Sequence, residues 1–497
     1  MFPYKTSFVL KKNTSQALYL QLANQFILYI SEGKLPNGTK LLGTRPLSNL
    51  LDVHRKTVVA CYEELEQQGW VKSVPKKGTF VKDDLPILNQ QELLGVKQED
   101  DEEVSSDFAF YKESLLPEKE LIKGEEWTTI NDGISDTRLA PTVEIGRIYR
   151  RISARKNIFK DISYGSTFGN ERLREVLVEY LNSSRGLKIT KNNLLITRGS
   201  QMGIWLSAQL LLKKNDVIVV GMTNYSSADI TFMQREATLK RVEVDSEGIV
   251  TSQIESICKT SSIKAVYITS HHHHPTTVTL SAERRLHLLN LARKYRFAII
   301  EDDYDYDFNY NHAPILPLAS HDDRKNVIYI GSVCKTVAPV FRIGYLIGSE
   351  SFVKEASKYR GYVDRQGDAI LELTFAEFIK SGDLDRHIRK ILKIYEERRD
   401  LFCSLLNSEL SDYLDFSIPK GGMAIWVKLS SEYTWEEVKR EGVKHKFSLG
   451  DWKRYDMAGK SHNAIRMGFA SYTNDEIYDL IKKLKLIFSV LKENKKK

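Results

Sequence analysis

In the stretch "IGSVCKTVAPVFRIGY", Lys335 stands a few residues past an apolar run, among small and apolar neighbours. Desolvation in such a setting lowers an amine's pKa and makes it a nucleophile toward an aldehyde carbon. Ser332 and Arg342 flank it by three and seven positions, a hydroxyl and a guanidinium suited to gripping a phosphate. "TRGSQMG" offers Ser200 and Gln201 at a strand-to-helix junction, where free backbone N–H groups and the helix dipole attract the same anion. "IIEDDYDYDF" puts Asp302 at the end of a buried-strand pattern and Tyr304 two positions on. A carboxylate facing a pyridine nitrogen keeps that ring protonated and makes it an electron sink, and a tyrosine hydroxyl can reach the ring oxygen. A lysine, a phosphate grip, an aspartate and a tyrosine in this order imply pyridoxal 5′-phosphate.

Such a set needs a scaffold that brings distant segments to one edge. Beyond residue 120 the chain alternates strand-like and helix-like segments: "NLLITRGS" then "QMGIWLSAQLLL", "DVIVVG", "IKAVYITS" then "SAERRLHLLNLARKY", "FAIIEDDY" and "NVIYIGS". β-branched runs separated by amphipathic helices predict an α/β fold with a mostly parallel sheet buried on both faces. Ligands gather at the carboxyl ends of such strands. There lie Ser200 and Gln201, Tyr225, the run His271 to His274, Asp302 and Tyr304, and Ser332 and Lys335. The four consecutive histidines raise the question of a metal. Neighbours in an extended loop point alternately, which leaves two of the four to share an ion, and no Cys or His at ligand spacing completes a shell, so no metal is expected.

The first 82 residues are a different module. "LYLQLANQFILYISEGKL" fits an amphipathic helix ending near Gly33, "RPLSNLLDV" a short helix, and "HRKTVVACYEELEQQGW" a longer one. In the last, Val58, Cys61, Tyr62 and Leu65 share one face, and Arg55, Lys56 and Thr57 occupy the first turn. Two helices joined tightly, with cations and a hydroxyl opening the second, are what a helix-turn-helix needs to enter the major groove. "WVKSVPKKGTFVK" then predicts a hairpin wing that carries Lys76 and Lys77 toward phosphates.

Charge placement agrees. Residues 1 to 82 hold twelve Lys/Arg against five Asp/Glu, whereas residues 83 to 103 hold eight acids and one lysine, the composition of a solvated linker. A chain of 497 residues with 42% hydrophobic composition is long enough for two or three domains. Its four cysteines are widely spaced, so neither a disulfide framework nor a thiolate zinc site is indicated, and a reducing compartment is expected. With no long apolar run, a soluble cytoplasmic protein without membrane contact is expected.

The head, "LYLQLANQFILYISEGKLPNGTKLLGTRPLSNLLDVHRKTVVACYEELEQQGWVKSVPKKGTFV", resembles the winged helix-turn-helix of GntR-family transcription regulators. That resemblance implies DNA contacts from Arg45, Arg55, Lys56, Thr57, Lys77 and Gly78; His54 stands where the family often has Ser. The remainder resembles the fold-type I, class I aminotransferases, and the fusion resembles the MocR-type subfamily of GntR regulators. The expected fold class is therefore α/β: an N-terminal winged helix-turn-helix plus a large pyridoxal-phosphate-dependent transferase fold-type I domain, with a mostly parallel sheet and a smaller C-terminal α/β subdomain. Expected boundaries are 1–82, an acidic linker 83–120, and 121–497.

By the same resemblance Lys335 is the Schiff-base lysine, Asp302 the ring-nitrogen partner and Tyr304 the ring-oxygen partner. Ser200, Gln201, Ser332 and Arg342 bind phosphate, Tyr225 stacks on the ring, and His274 lies beside the ring oxygen. Arg466 in "NAIRMGFAS" clamps a ligand α-carboxylate, and Tyr164 in "YGSTFG" reaches the neighbouring subunit's cofactor in a homodimer. Three departures stand out. "YGSTFG" replaces a usual Asp-Pro-Ala, Cys334 precedes the lysine where Ser is common, and Ser226, Ser227 and Ala228 follow Tyr225 where some members carry a second arginine. The last argues against a dicarboxylate or ω-amino acid ligand. Two functions are implied: a regulator that binds a double-stranded DNA operator and senses the cofactor or an amino acid or amine, and alternatively a working aminotransferase.

Overall fold

The computed structural model describes residues 2–86, 108–111, 114–116, 127–310, 315–322, 325–333, 335–456 and 459–496. Most of the stretch read as an acidic linker, and Cys334, lie outside the described residues. The chain divides into two compact units, Met1–Tyr111 and Lys112–Lys497.

In the first unit, helices Leu18–Ser31, Thr44–Leu51 and Arg55–Gln67 close on one core. Leu22, Phe26 and Ile30 meet Leu47, Val58, Cys61 and Leu65, all buried. Each fully buried side chain of this kind contributes about 1.5–3 kcal/mol. The turn between the second and third helices is set by Asp52, left-handed at φ 51° and a residue type that tolerates that region. His54 then caps the third helix: its Nδ1 accepts from the Lys56 backbone N–H at 3.1 Å. Strands Val71–Val74 and Gly78–Val81 pair antiparallel with Val71 opposite Val81 and Val74 opposite Gly78, the expected wing.

The second unit is built on a seven-stranded sheet. Its order is Leu194–Thr197, Gly344–Ile347, Val327–Ser332, Ala298–Asp303, Ala265–Ile268, Val217–Gly221 and Thr238–Val242. Only Gly344–Ile347 runs against its neighbours. Strands such as Leu194–Thr197 and Ala265–Ile268 are buried at every position, because helices cover both faces. A smaller antiparallel sheet, Leu414–Phe416, Ala424–Leu429 and Ala464–Gly468, shares a core with helices Asp383–Leu410 and Asn474–Lys496. Thr128–Thr129 pairs with Phe447–Ser448 beside this subdomain and so delivers residues 130–133 to the strand that carries Arg466. No helix among the described residues is long and apolar enough to cross a membrane.

Candidate functional site

The parallel strands end where the chemistry was expected. Asp302, on Ala298–Asp303, is buried; Tyr267 on the adjacent strand donates its hydroxyl to Asp302 Oδ2 at 2.9 Å. Its other oxygen, Oδ1, is buried with no hydrogen-bond partner. Burial raises this carboxyl to about 7, opposed by the Tyr267 bond and aided by the neighbouring charge of Asp303. Lys335 lies near enough for the two charges to act on each other, and its Nζ sits 4.3 Å from the centroid of the Tyr304 ring. Burial and the Arg466 guanidinium push the Lys335 amine below its ordinary value, which raises the fraction of neutral, nucleophilic amine.

Gly199 at φ +77° turns the chain into helix Ser200–Leu211, whose first turn has no side-chain cap. Its N–H groups are thus left for an anion. A Cβ at Gly199 would stand 2.9 Å from Arg342 Nη2, which donates to the Arg198 carbonyl at 2.7 Å. The glycine is what lets the guanidinium lie against the turn. Gln201 donates to Thr231 Oγ1 at 3.0 Å and Ser332 to the Ile343 carbonyl at 3.3 Å.

All four histidines are buried, each ring with a partner of its own. Three of them face aspartates: His271 Nδ1 is 3.1 Å from Asp303 Oδ1, His272 Nδ1 is 3.0 Å from Asp305 Oδ1, and His274 Nε2 is 3.1 Å from Asp132 Oδ2. His273 bonds Thr276 Oγ1 at 2.8 Å. Burial pushes His274 down to about 4, against the pull of Asp132, so the ring is neutral and donates from Nε2. Its ring meets Tyr225 edge-on with centroids 5.2 Å apart. Tyr304 donates to the His272 carbonyl at 3.0 Å and accepts from Arg466 Nη2 at 3.4 Å. Among the described residues no group of three or more His, Cys, Asp or Glu could hold a metal ion.

Residues 155–485, about two thirds of the chain, match the family described as aminotransferase class I and II. The chain belongs to the aminotransferase class I and II family. It is 27% identical over 386 residues to aromatic-amino-acid aminotransferase 1 of Thermococcus litoralis, covering 76% of this chain and 91% of that protein. It is 26% identical over 449 residues to the HTH-type transcriptional regulator YisV of Bacillus subtilis, covering 89% and 90%. To the HTH-type transcriptional regulator NorG of Staphylococcus aureus it is 24% identical over 454 residues, covering 90% and 98%. Among solved structures, a Pyrococcus horikoshii kynurenine aminotransferase superposes with a TM-score of 0.69 at 26% identity, covering 73% and 91% of the two chains. The multiple substrate aminotransferase of Thermococcus profundus gives 0.70 at 23% identity, covering 75% and 94%, a likeness of fold.

Three features of this aminotransferase-family pocket fit pyridoxal phosphate. The orphaned Asp302 Oδ1 suits a protonated ring nitrogen, the Gly199–Ser200 turn with Arg342 suits a phosphate, and Lys335 supplies an amine of lowered basicity. Tyr164 does not join them: within one chain it is 83% exposed, with the Arg365 guanidinium 5.3 Å from its ring centroid.

Sequence reasoning missed Asp132. Four side chains converge on it: Arg454 Nη2 at 2.8 Å, the Tyr455 hydroxyl at 2.6 Å, His274 at 3.1 Å and Arg466 Nε at 3.4 Å. Burial alone would raise this carboxyl; His274 and the two guanidiniums outweigh that and hold it well below the usual carboxylate range. The one available signal was the Asn-Asp-Gly turn in "INDGISD".

In the N-terminal unit, Arg45, Arg55, Lys56, Lys77 and Gly78 are exposed and Thr57 is half-buried. Arg55 Nε donates to Thr44 Oγ1 at 3.3 Å, which ties the first turn of one helix to the start of the other.

Proposed function

We propose that this chain is a DNA-binding transcription regulator of the MocR-type subfamily of GntR regulators, whose aminotransferase-like unit binds pyridoxal 5′-phosphate and senses that cofactor or a small amine or amino acid. The observation that carries the reading is that one chain holds both an exposed cationic helix start with a lysine-bearing wing and a buried pocket with a nucleophilic amine and an unpartnered carboxylate oxygen. A catalyst of amino-group transfer has no use for the first. The similarity to YisV and NorG, which extends over nine tenths of the chain, supports the same conclusion.

In this reading residues 1–82 form the DNA-binding domain, 83–120 a linker and 121–497 the cofactor domain, and the protein works in the cytoplasm. Arg55, Lys56 and Thr57 meet the major groove, while Arg45, Lys77 and Gly78 meet the backbone. Lys335 holds the cofactor covalently, Asp302 faces its ring nitrogen, Tyr304 and His274 its ring oxygen, and Tyr225 its ring face. Ser200, Gln201, Ser332 and Arg342 hold its phosphate. When bound, the cofactor supplies an electron-withdrawing ring and an aldehyde carbon that exchanges amines. Asp302 keeps the ring nitrogen protonated, and the buried walls exclude water.

A homodimer is part of the proposal. Tyr164, Tyr362 and Val363 are 83%, 96% and 58% exposed, and Gln366 bonds the backbone of Ser163 beside them, an aromatic face suited to a second copy. Signalling requires that ligand and DNA favour different conformations of that dimer.

The test is operator binding by the full chain with and without pyridoxal phosphate, alongside steady-state amino-group transfer. DNA affinity that responds to the cofactor or an amine, without multiple turnovers, supports the regulator. The convergence of Lys335, Asp302, Tyr304 and Arg466 favours the second reading, an active aminotransferase, and sustained turnover with an amino acid and a keto acid would establish it.

A further inference from the structure

We propose that the arginine clamp of this pocket is already filled by the chain's own Asp132, so that the small molecule admitted is a primary amine without an α-carboxylate. The proposal rests on the reading of the pocket as a pyridoxal phosphate site and narrows what that site senses.

Arg466 has little left to offer an incoming carboxylate. Its side chain is fully buried; Nη1 donates to the Pro275 carbonyl at 3.1 Å, Nη2 to the Tyr304 hydroxyl at 3.4 Å, and Nε to the Asp132 carbonyl at 3.3 Å with Asp132 Oδ1 at 3.4 Å. A bidentate grip needs two adjacent free N–H groups; three of the guanidinium's five, one on each nitrogen and including the single one on Nε, are engaged. Asp132 is in turn supplied with Arg454, Tyr455 and His274 as well as Arg466. This is the donor set a ligand carboxylate would seek.

Asp132 is also fixed in place. Asn131 Oδ1 accepts from the Gly133 and Ile134 backbone N–H groups at 2.9 and 3.1 Å, and the Asn131 carbonyl accepts from Gly468 N–H at 2.8 Å. Gly133 adopts φ +77°, and a Cβ there would meet Ala424 Cβ at 3.0 Å; a Cβ at Gly468 would stand 2.1 Å from Asn131 Oδ1. The two glycines let the turn press against Ala424–Leu429 and against the strand that bears Arg466. An α-carboxylate would have to eject a tethered anion whose effective concentration is on the order of millimolar or more. It would also meet that anion's repulsion, since the Asp132 side chain is 25% exposed and remains beside the entering group. An amine lacking the carboxylate meets neither obstacle.

L-Alanine and ethylamine differ only in the α-carboxylate and are the probes. Full-length protein loaded with pyridoxal phosphate is titrated with each while visible absorbance is followed, for the wild type, Asp132→Ala and Asp132→Asn. The wild type responds to ethylamine at a concentration at least about tenfold below that for L-alanine, and both variants narrow or reverse that ratio. Half-saturation of the wild type by L-alanine at or below the ethylamine concentration overturns the proposal, as does a ratio unchanged in both variants. A cofactor-free arm separates this failure from failure of the underlying reading. Sodium acetate, compared with sodium chloride, raises the melting temperature of cofactor-free Asp132→Ala by several degrees and leaves the wild type unmoved. Equal response of the two proteins overturns the filled clamp whether or not cofactor binds; absence of a cofactor band with the acetate effect intact overturns only the cofactor assignment. Asp132→Asn, close in volume, keeps the test available if Asp132→Ala does not fold.

Discussion

Two aspartates near Tyr304 have been given opposite environments. Asp302 at the floor has one hydroxyl partner and an orphaned oxygen, and burial lifts its carboxyl to about 7. Asp132 at the rim has two guanidiniums, an imidazole and a phenol, and is held ionised well below the ordinary range. The Asp302 carboxyl keeps an unpartnered oxygen, whereas the Asp132 carboxyl already has its partners. A ligand therefore gains most by bringing positive charge to the floor and least by bringing negative charge to the rim.

The sharpest way to break this contrast is at the floor. Lys335→Ala is expected to abolish covalent retention of pyridoxal phosphate, read as complete loss of visible absorbance after gel filtration. Next is the pH dependence of the cofactor-free protein. Between the ordinary carboxyl value of 3.8 and about 7, folded Asp302 holds a proton that the unfolded chain releases. Its contribution to stability therefore falls as pH rises through that window, by up to about 1.4 kcal/mol per pH unit, and stays lost above it. Asp302→Asn removes this slope and is more stable than the wild type at pH 8 in denaturant melts; a variant less stable there would mean that Asp302 is not starved of partners.

At the rim the sign reverses. Tyr455→Phe removes the 2.6 Å bond to Asp132 and is expected to destabilise the cofactor-free chain by about 1.5–3 kcal/mol, measured the same way. The smallest effect belongs to Thr277, a β-branched residue held at φ +63° just after the histidine run. Thr277→Gly relieves that backbone and should stabilise by about 1 kcal/mol in thermal melts.

Much of the floor was legible in the sequence because each of its residues ends a buried strand or follows one closely, and a parallel sheet brings such ends together. Lys335, Asp302 and Tyr304 do converge in this way; Arg466 reaches Tyr304 from the middle of a strand of the smaller antiparallel sheet. The histidine run was placed at the right edge, but its partners were not foreseen. His271 and His272 follow Ala265–Ile268, Asp303 and Asp305 end and follow Ala298–Asp303, and these strands are neighbours in parallel register, so a histidine-rich run meets an aspartate-rich one. Strand adjacency, which local pattern does not supply, decides that pairing. Asp132 was hidden for a stronger reason: it lies in a turn with no periodicity, and its role depends on contact with Arg454, Tyr455 and Arg466 more than three hundred residues away. Tyr164 matched by resemblance, yet one chain leaves it exposed.

The cap on the third helix of the N-terminal unit carries a further consequence. His54 Nδ1 accepts from the Lys56 backbone, which leaves Nε2 as the ring's second hydrogen-bonding nitrogen. The imidazole is exposed beside Arg55 and Lys56. A serine cap uses its single oxygen near the backbone; the histidine satisfies the helix with one edge and extends a second hydrogen-bonding nitrogen from the other. That adds directional reach to a surface otherwise built from cations, and directional reach depends on salt far less than net charge does.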